Sequence, residues 1–277
     1  MISQNIFPQA ADFIVTDRCN LNCPVCWGSN MPSFTSLPIE MQERMLEILA
    51  ENGVKIMAIT GGEPLIEPHL PRLLKKANLD LGIKLVLFTN CIFLRGKEKE
   101  ILPHISKISM SLDGYNEESN SLARKPGHFN VVLDTFRLLR EKYTDKQVQV
   151  ITVVTEKNKD FLEKIGNLLI KETRGLNFCW KLNYYFLIGK ENSSFQLPYK
   201  EFENKAREIE KKFSSFFQVR YSKQDRDNAY LFVFPDGNLY TTHGKKYVSL
   251  GNVFNYELLK KIKERSSERR QKEKKII

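Results

Sequence analysis

The sequence has no long hydrophobic run. No stretch approaches the roughly 18 consecutive apolar residues of a membrane-spanning helix, which excludes that class. The first residues, MISQNIFPQAADFIV, lack a basic segment followed by a long apolar stretch, so a secretory signal is not expected and the cytoplasm is the expected location. Charged residues make up 27% of the 277, which excludes a low-complexity or broadly disordered chain. One large domain, or one with a small additional unit, is expected.

Cysteine and histidine are both scarce. There are five cysteines and four histidines, and an odd number of cysteines argues against a disulfide framework. Cys19, Cys23 and Cys26 fall within eight residues in the pattern C-x3-C-x2-C, which indicates a metal site. Three thiolates can hold three irons of an iron-sulfur cubane and leave the fourth iron open. A zinc site completed by Cys91 or by a distant histidine is the alternative.

The net charge of +10 is concentrated near the carboxyl terminus. Residues 260–275 hold nine Lys and Arg and three Glu. A basic segment of this kind can bind nucleic acid or an acidic partner. Basic residues also suit the carboxyl end of a solvated helix, because they interact favourably with its dipole. The second interpretation is favoured, so nucleic acid is not an expected partner.

Hydrophobic periodicity predicts alternating strands and helices over most of the chain. The predicted strands are 11–16, 54–60, 83–89, 107–112, 148–154 and 176–186. The helices predicted between them are 38–52, 69–79, 97–105, 129–143 and 160–171. Since apolar strands separated by helices form parallel sheets, we predict an α/β fold, either an open doubly wound sheet or a partial (β/α) barrel.

Polar or thiol side chains accompany each predicted strand. They are the cysteine triplet, Gly61–Pro64, Asn90 with Cys91, Asp113, Thr155 with Asn158, and Cys179 with Lys181 and Asn183. In both candidate folds, ligands bind at the carboxyl ends of the strands. The sequence therefore predicts a binding site along that edge of the sheet.

The composition changes after about residue 189. A charged amphipathic helix is predicted over 199–213, followed by short strands at 218–222 and 230–234. Pro235-Asp236-Gly237-Asn238 predicts a turn, after which 239–242 pairs back as a hairpin. We therefore predict a barrel domain over residues 1–189 and a small α+β appendage over 190–277 that ends in the basic helix.

The stretch Cys19-Asn20-Leu21-Asn22-Cys23-Pro24-Val25-Cys26-Trp27 resembles the signature of the radical S-adenosylmethionine (SAM) superfamily. Gly61-Gly62-Glu63-Pro64 after the next strand and Ser111-Leu112-Asp113-Gly114 two strands later strengthen the resemblance. It covers residues 11 to about 186. It implies a partial (β/α)6 TIM-type barrel with a [4Fe-4S] cluster and SAM in its mouth.

The resemblance also implies roles for individual residues. The three clustered cysteines would hold the cluster and leave one iron for the amino and carboxylate groups of SAM. Gly61 and Gly62 would let the backbone approach the methionine moiety, and Glu63 would pair with its ammonium group. The other implied SAM contacts are the backbone of Trp27, Pro64 at the exit of the glycine loop, and Asn90, Ser111, Asp113 and Thr155.

The implied activity is reductive cleavage of SAM to a 5′-deoxyadenosyl radical, which abstracts hydrogen from a substrate. An external electron donor such as flavodoxin or ferredoxin would supply the electron. An iron-sulfur protein that only transfers electrons or senses is less favoured. Such proteins use four cysteine ligands, and the Gly61–Pro64 loop is intact here.

The predicted appendage resembles the SPASM and twitch extensions of peptide-modifying radical SAM enzymes, in its hairpin over 234–240 and in segment 250–254. Those extensions bind additional clusters through cysteines, whereas here Thr241, Thr242 and His243 stand where a cysteine is expected. We therefore expect an appendage without a cluster. The expected substrate is a ribosomally made peptide, altered for example by cross-linking or epimerisation. A small molecule such as a nucleotide or sugar derivative is the alternative.

Two cysteines lie outside the triplet. Cys91 and Cys179 are predicted at or near the carboxyl ends of their strands, where a thiol could donate a hydrogen atom to a substrate radical. The alternative for both is packing as a small buried apolar side chain.

Overall fold

The computed structural model describes residues 9–186, 193–222 and 230–262. Ten described strands form a single sheet in the order β10-β9-β8-β1-β2-β3-β4-β5-β6-β7. They are β1 (Ala10–Ile14), β2 (Ile56–Thr60), β3 (Lys84–Thr89), β4 (Lys107–Ser111), β5 (Gln147–Val154), β6 (Asn177–Tyr184), β7 (Gln218–Tyr221), β8 (Phe232–Val233), β9 (Asn238–His243) and β10 (Lys246–Asn252). Strands β1 to β7 run parallel in chain order, and the sheet ends at β7 and β10 without closing. The predicted α/β class and partial barrel are confirmed.

Helices follow most of the parallel strands. The described α-helices with defined bounds are α1 (Ile39–Glu51), α2 (Leu70–Lys75), α3 (Glu98–Ile101), α4 (Glu117–Ser121), α5 (His128–Lys142), α6 (Leu162–Glu172) and α7 (Tyr199–Phe213). The helix predicted over 69–79 is split, because α2 continues as one π-helical turn over Lys76–Asp80. Helix α4 was not predicted. It is five residues long and almost entirely polar, so it has no apolar periodicity, and a capping box at Asn116 begins it.

The pleat of the sheet separates two different faces. Side chains that point towards the helices are apolar and buried, among them Phe13, Met57, Leu85, Ile108 and Val150. Because successive residues of a strand point to opposite faces, the intervening residues line the concave face. Several of those are polar: Asp12, Ser109, Ser111, Gln149, Lys181 and Asn183. The concave face is the surface that a bound molecule would meet.

The carboxyl-terminal strands extend the same sheet. Strand β7 pairs in parallel with β6, and β8 pairs in parallel with β1 before β9 and β10 continue as an antiparallel meander. The predicted hairpin is confirmed, whereas β10 was not predicted. One sheet therefore contains strands from both predicted domains, and the division of the chain into two domains at residue 189 stays a prediction. Of the predicted basic helix, residues 256–262 are helical and 263–277 lie outside the described residues. Among the helices in these ranges, none is both long and apolar enough to cross a membrane.

Candidate functional site

The loop between β1 and α1 carries the cysteine triplet. None of the three cysteines forms a disulfide; Cys19 is exposed, and Cys23 and Cys26 are partly buried. Desolvation raises the pKa of the Cys19 and Cys23 thiols, and the charges of the neighbouring cysteines add to the effect. The three thiols are thus close enough to interact electrostatically. In the described chain, no group of three His, Cys, Asp or Glu side chains is arranged around a single metal ion.

A cavity opens beside this loop. Its volume is about 380 Å³, and its lining residues are Cys19, Asn20, Leu21, Asn22, Arg124 and Lys125. It therefore lies between the cysteine loop and the segment that follows α4. Two cationic residues in this lining make the cavity suitable for a ligand that carries negative charge.

The glycine pair after β2 holds the cysteine loop in place. The amide of Gly62 donates to the carbonyl of Thr16 at 2.7 Å, and the amide of Glu63 donates to the carbonyl of Arg18 at 2.8 Å. A Cβ atom at Gly61 would collide with the Thr16 carbonyl, and one at Gly62 would collide with the Arg18 carbonyl. The glycines are therefore required by the contact between the two loops. Their predicted contact with the methionine moiety stays a prediction.

Glu63 lies in the loop between β2 and α2 and is buried, with 1% of its surface exposed. Its Oε1 accepts from the Thr89 hydroxyl at 2.6 Å and from the Leu65 amide at 3.1 Å, and its Oε2 accepts from the Asn90 amide at 2.7 Å. Burial raises the pKa of Glu63, and these hydrogen bonds oppose the rise. Glu63 thereby ties the end of β2 to the end of β3. Its pairing with the SAM ammonium group stays a prediction.

Asp113 is a second fully buried carboxylate, with 0% exposure. Its Oδ2 lies 2.5 Å from Arg124 Nε, and its Oδ1 accepts from the Val153 amide at 2.7 Å. Arg124 Nη1 in turn lies 3.6 Å from Cys23 Sγ. The pair therefore links the ends of β4 and β5 to one of the clustered cysteines.

A family model described as the radical SAM superfamily matches residues 13–169. This match covers more than half of the chain and contains all three clustered cysteines. The chain belongs to the radical SAM superfamily. The family predicted from the cysteine loop, Gly61–Pro64 and Ser111–Gly114 is confirmed.

Similar proteins differ in what their names say they do. An AdoMet-dependent heme synthase from Methanosarcina barkeri is 30% identical over 61% of this chain and 49% of its own length. The sporulation killing factor maturation protein SkfB from Bacillus subtilis is 25% identical over 71% of this chain and 47% of its own length. The chain thus spans about half the length of these curated relatives. The crystal structure of Streptococcus suis SuiB bound to precursor peptide SuiA has the same fold, with a TM-score of 0.69, 15% identity, and coverage of 85% of this chain and 60% of that one.

The cofactors of radical SAM proteins are a [4Fe-4S] cluster and SAM, and the residues of this chain suit both. Three cysteines outside any disulfide, whose thiols interact electrostatically, form the donor set of a cluster with one open iron. The adjoining cavity, lined by the cysteine loop, Arg124 and Lys125, gives space for a carboxylate-bearing ligand next to it. The proposed ligands are Cys19, Cys23 and Cys26.

The other residues predicted to contact SAM lie at strand ends and in the cysteine loop. Ser111 ends β4 on the concave face, and the Asn90 side chain donates to Asn20 Oδ1 in the cysteine loop at 2.8 Å. Thr155 is buried in a turn in which Asn158 Oδ1 accepts from its amide at 2.8 Å. The Trp27 ring stacks on Phe232 of β8, with centroids 5.7 Å apart. The Trp27 side chain therefore packs against the carboxyl-terminal strands, and its backbone contact with adenine stays a prediction.

The two other cysteines lie at different places along their strands. Cys179 is the third residue of β6, at its amino end, where its Sγ lies 3.7 Å from Gln149 Oε1. The prediction that it lies near the carboxyl end of a strand is wrong, because five of the eight residues of β6 follow it. Cys91 follows β3 as predicted, but its side chain is buried in the core on the helix side, and its Sγ donates to the carbonyl of Thr89 at 3.8 Å. The role of the two thiols as hydrogen-atom donors stays a prediction.

Three residues of this region were missed in the sequence. Arg124 contacts Cys23 across 101 residues, a pairing without a local signal. Tyr247 lies on β10, which was not predicted. Asp12 did have a signal, since it is a carboxylate within the apolar run of a predicted buried strand. Burial raises the pKa of Asp12 to about 7, and the charge of Lys181 opposes the rise.

Proposed function

We propose that this protein is a radical SAM enzyme that modifies a peptide. The observation that carries the proposal is the continuous sheet from the cysteine-bearing half-barrel into β8, β9 and β10. This arrangement puts an edge strand, β10, on the same molecule as the cluster site. An edge strand can take up an extended peptide by strand addition, through its unpaired backbone groups.

Aromatic contacts connect this edge to the cysteine loop. Trp27 stacks on Phe232, and Phe232 meets Tyr247 of β10 with centroids 5.5 Å apart. A peptide paired with β10 would thus pass close to the loop that holds the cluster. Val248, 41% exposed on β10, offers apolar contact for one of its side chains.

The names of two similar proteins support a peptide. SkfB is called a maturation protein of the sporulation killing factor, and SuiB was crystallised with a precursor peptide. The heme synthase supports the alternative, a small-molecule substrate. The peptide is favoured because the strands beyond the half-barrel give it a surface.

When bound, the cluster and SAM supply one-electron chemistry that ends in abstraction of a hydrogen atom from the substrate. The chain's own residues hold the parts in place. Glu63 and Asp113 fix the strand ends, and Gly61 and Gly62 fix the cysteine loop against β2. The concave face would orient the substrate. We place the enzyme in the cytoplasm with an external donor such as flavodoxin or ferredoxin.

The test is anaerobic incubation of the reconstituted full chain with SAM and a strong reductant. Peptides encoded by short reading frames beside the gene, and a panel of nucleotides and sugar phosphates, are compared as stimulants of 5′-deoxyadenosine formation. We expect a peptide to stimulate the reaction and to change in mass. The matched control, with Cys19, Cys23 and Cys26 all replaced by Ala, should do neither.

Two results would contradict the proposal. Stimulation by a phosphorylated small molecule and by no peptide would establish the alternative substrate class. About eight irons per chain instead of about four would show a second cluster, contrary to the expected cluster-free appendage.

A further inference from the structure

Asp12 is a carboxylate on the concave face of the sheet. Its neighbours in β1, Ala11 and Phe13, are 3% and 0% exposed in the core beneath the helices. Asp12 therefore points the other way and is partly exposed. Its backbone pairs with Ala58 of β2 and with Phe232 of β8. It thus lies at the junction between the half-barrel and the carboxyl-terminal strands.

Aromatic rings border this carboxylate. Phe232 is its direct neighbour in register and belongs to the aromatic cluster on the same face. Tyr247 packs edge-on against Phe232, with centroids 5.5 Å apart, and its buried hydroxyl has no hydrogen-bond partner among the described residues. Burial raises the pKa of Tyr247, and the charges of Cys26 and Asp12 add to the effect. Asp12 and Tyr247 are therefore near the cysteine loop.

Asp12 differs from the buried carboxylates Glu63 and Asp113 in its hydrogen bonds. Glu63 accepts three hydrogen bonds, and Asp113 is paired with Arg124. Over the described residues, the Asp12 carboxylate has neither a hydrogen-bond donor nor an ion-pair partner. The charged group that acts on it is Lys181, across the concave face on β6. A desolvated carboxylate without a partner is costly unless a bound cation compensates it.

We propose that Asp12, with the rings of Phe232 and Tyr247, binds a cationic group of the substrate, either an alkylammonium or a guanidinium. A carboxylate supplies charge-assisted hydrogen bonds, and aromatic faces attract the same cation. That the group is the side chain of a peptide Lys or Arg rests on the proposed function. The cation would anchor the substrate beside the loop of Cys26, and so select which residue is presented for reaction.

The test uses small probes with the anaerobically reconstituted full chain. The probes are n-butylammonium, n-butylguanidinium, the neutral n-butanol and the anionic butyrate, titrated at pH 8 by saturation-transfer NMR. We expect the two cations to bind about tenfold more tightly than butanol, the size of a charge-assisted hydrogen bond. Asp12→Asn should remove that preference, while Asp134→Asn, a change at an exposed carboxylate of α5, should leave it intact.

A second measurement needs no variant. The groups that face Asp12 are Lys181 from β6 and Tyr247 from β10. With a pKa of about 7, the carboxylate is charged at pH 8 and largely protonated at pH 6. Cation binding to the unaltered chain should therefore weaken severalfold at pH 6, and butanol binding should not change.

Equal binding of butanol and the cations, tighter binding of butyrate, or no cation binding at millimolar concentration would each overturn the proposal. Tighter butyrate binding would identify Lys181 as the anchor and the substrate group as an anion. None of these measurements depends on turnover. Cation binding without any peptide modification would thus refute the proposed function and leave the Asp12 site established.

Discussion

The carboxylates at the mouth of the half-barrel and the carboxylate on its concave face differ in their hydrogen bonds. At the mouth, Glu63 and Asp113 are 1% and 0% exposed, and every carboxylate oxygen has a protein donor. On the concave face, Asp12 has none among the described residues. Burial raises the pKa of both Glu63 and Asp12. At Glu63 hydrogen bonds from Thr89, Asn90 and Leu65 oppose the rise, whereas at Asp12 only the charge of Lys181 opposes it. Carboxylates whose oxygens accept protein hydrogen bonds connect the strand ends, whereas a carboxylate without such bonds is available to a ligand.

The largest expected effect is at Asp113, one of the two hydrogen-bonded carboxylates at the mouth. Asp113→Asn leaves Arg124 buried without its carboxylate, so we expect the free energy of unfolding to fall by about 3–5 kcal/mol in urea titrations. Asp134→Asn breaks an exposed pair with Arg137 and should cost less than about 1 kcal/mol. Equal costs for the two variants would remove Asp113 from the scaffold.

The next largest loss of stability is expected from a substitution in the Gly61–Pro64 loop. Gly62→Ala puts a Cβ atom into the Arg18 backbone, which should cost about 1–3 kcal/mol and lower the iron content after reconstitution. Gly82→Ala is the matched control, because Gly82 has a positive φ of 65° but open space around its Cβ position. It should lower stability by about 1 kcal/mol without changing the iron content. Normal iron in Gly62→Ala would contradict a role of this contact in placing the cysteines.

Glu63 tests whether a satisfied carboxylate also meets the cofactor. If Glu63 pairs with the SAM ammonium group, Glu63→Ala should weaken SAM binding by about tenfold or more while the cluster stays intact. Equilibrium binding measured with the reconstituted variant, with visible absorbance as the cluster control, gives both values. Unchanged SAM affinity would leave Glu63 a scaffold residue like Asp113.

The last expected effect has the opposite sign, a gain in stability. The pKa of Asp12 rises from 3.8 to about 7 on folding, so the charged form is disfavoured in the folded protein. Its contribution to stability is therefore lost as the pH rises through about 4 to 7, and Asp12→Asn should raise the free energy of unfolding at pH 8 and change it little at pH 4. Unfolding titrations at the two pH values check this. A destabilised Asp12→Asn protein at pH 8 would show that Asp12 is a scaffold carboxylate after all.

The sequence by itself determined the features that depend on local spacing. The cysteine pattern and Gly61–Pro64 identified the family, and periodicity located the strands to within about two residues at most ends because apolar alternation is a local property. Helix α7 lies where it was predicted, at 199–213, since its apolar face repeats over four turns. Strand β10 was not predicted because Tyr247 and Val248 are flanked by Lys, Ser and Gly, so the segment has no apolar run.

Tertiary structure decided which side chains meet. Arg124 reaches Cys23 across 101 residues, and Asp12 joins Phe232 and Tyr247 through the pairing of β1 with β8. It also placed Cys91 in the core on the helix side and Cys179 near the amino end of β6. The physical reason is that a strand's sequence specifies two faces, but its register with distant strands selects the neighbours, and those neighbours determine which carboxylate is satisfied and which one can bind a ligand.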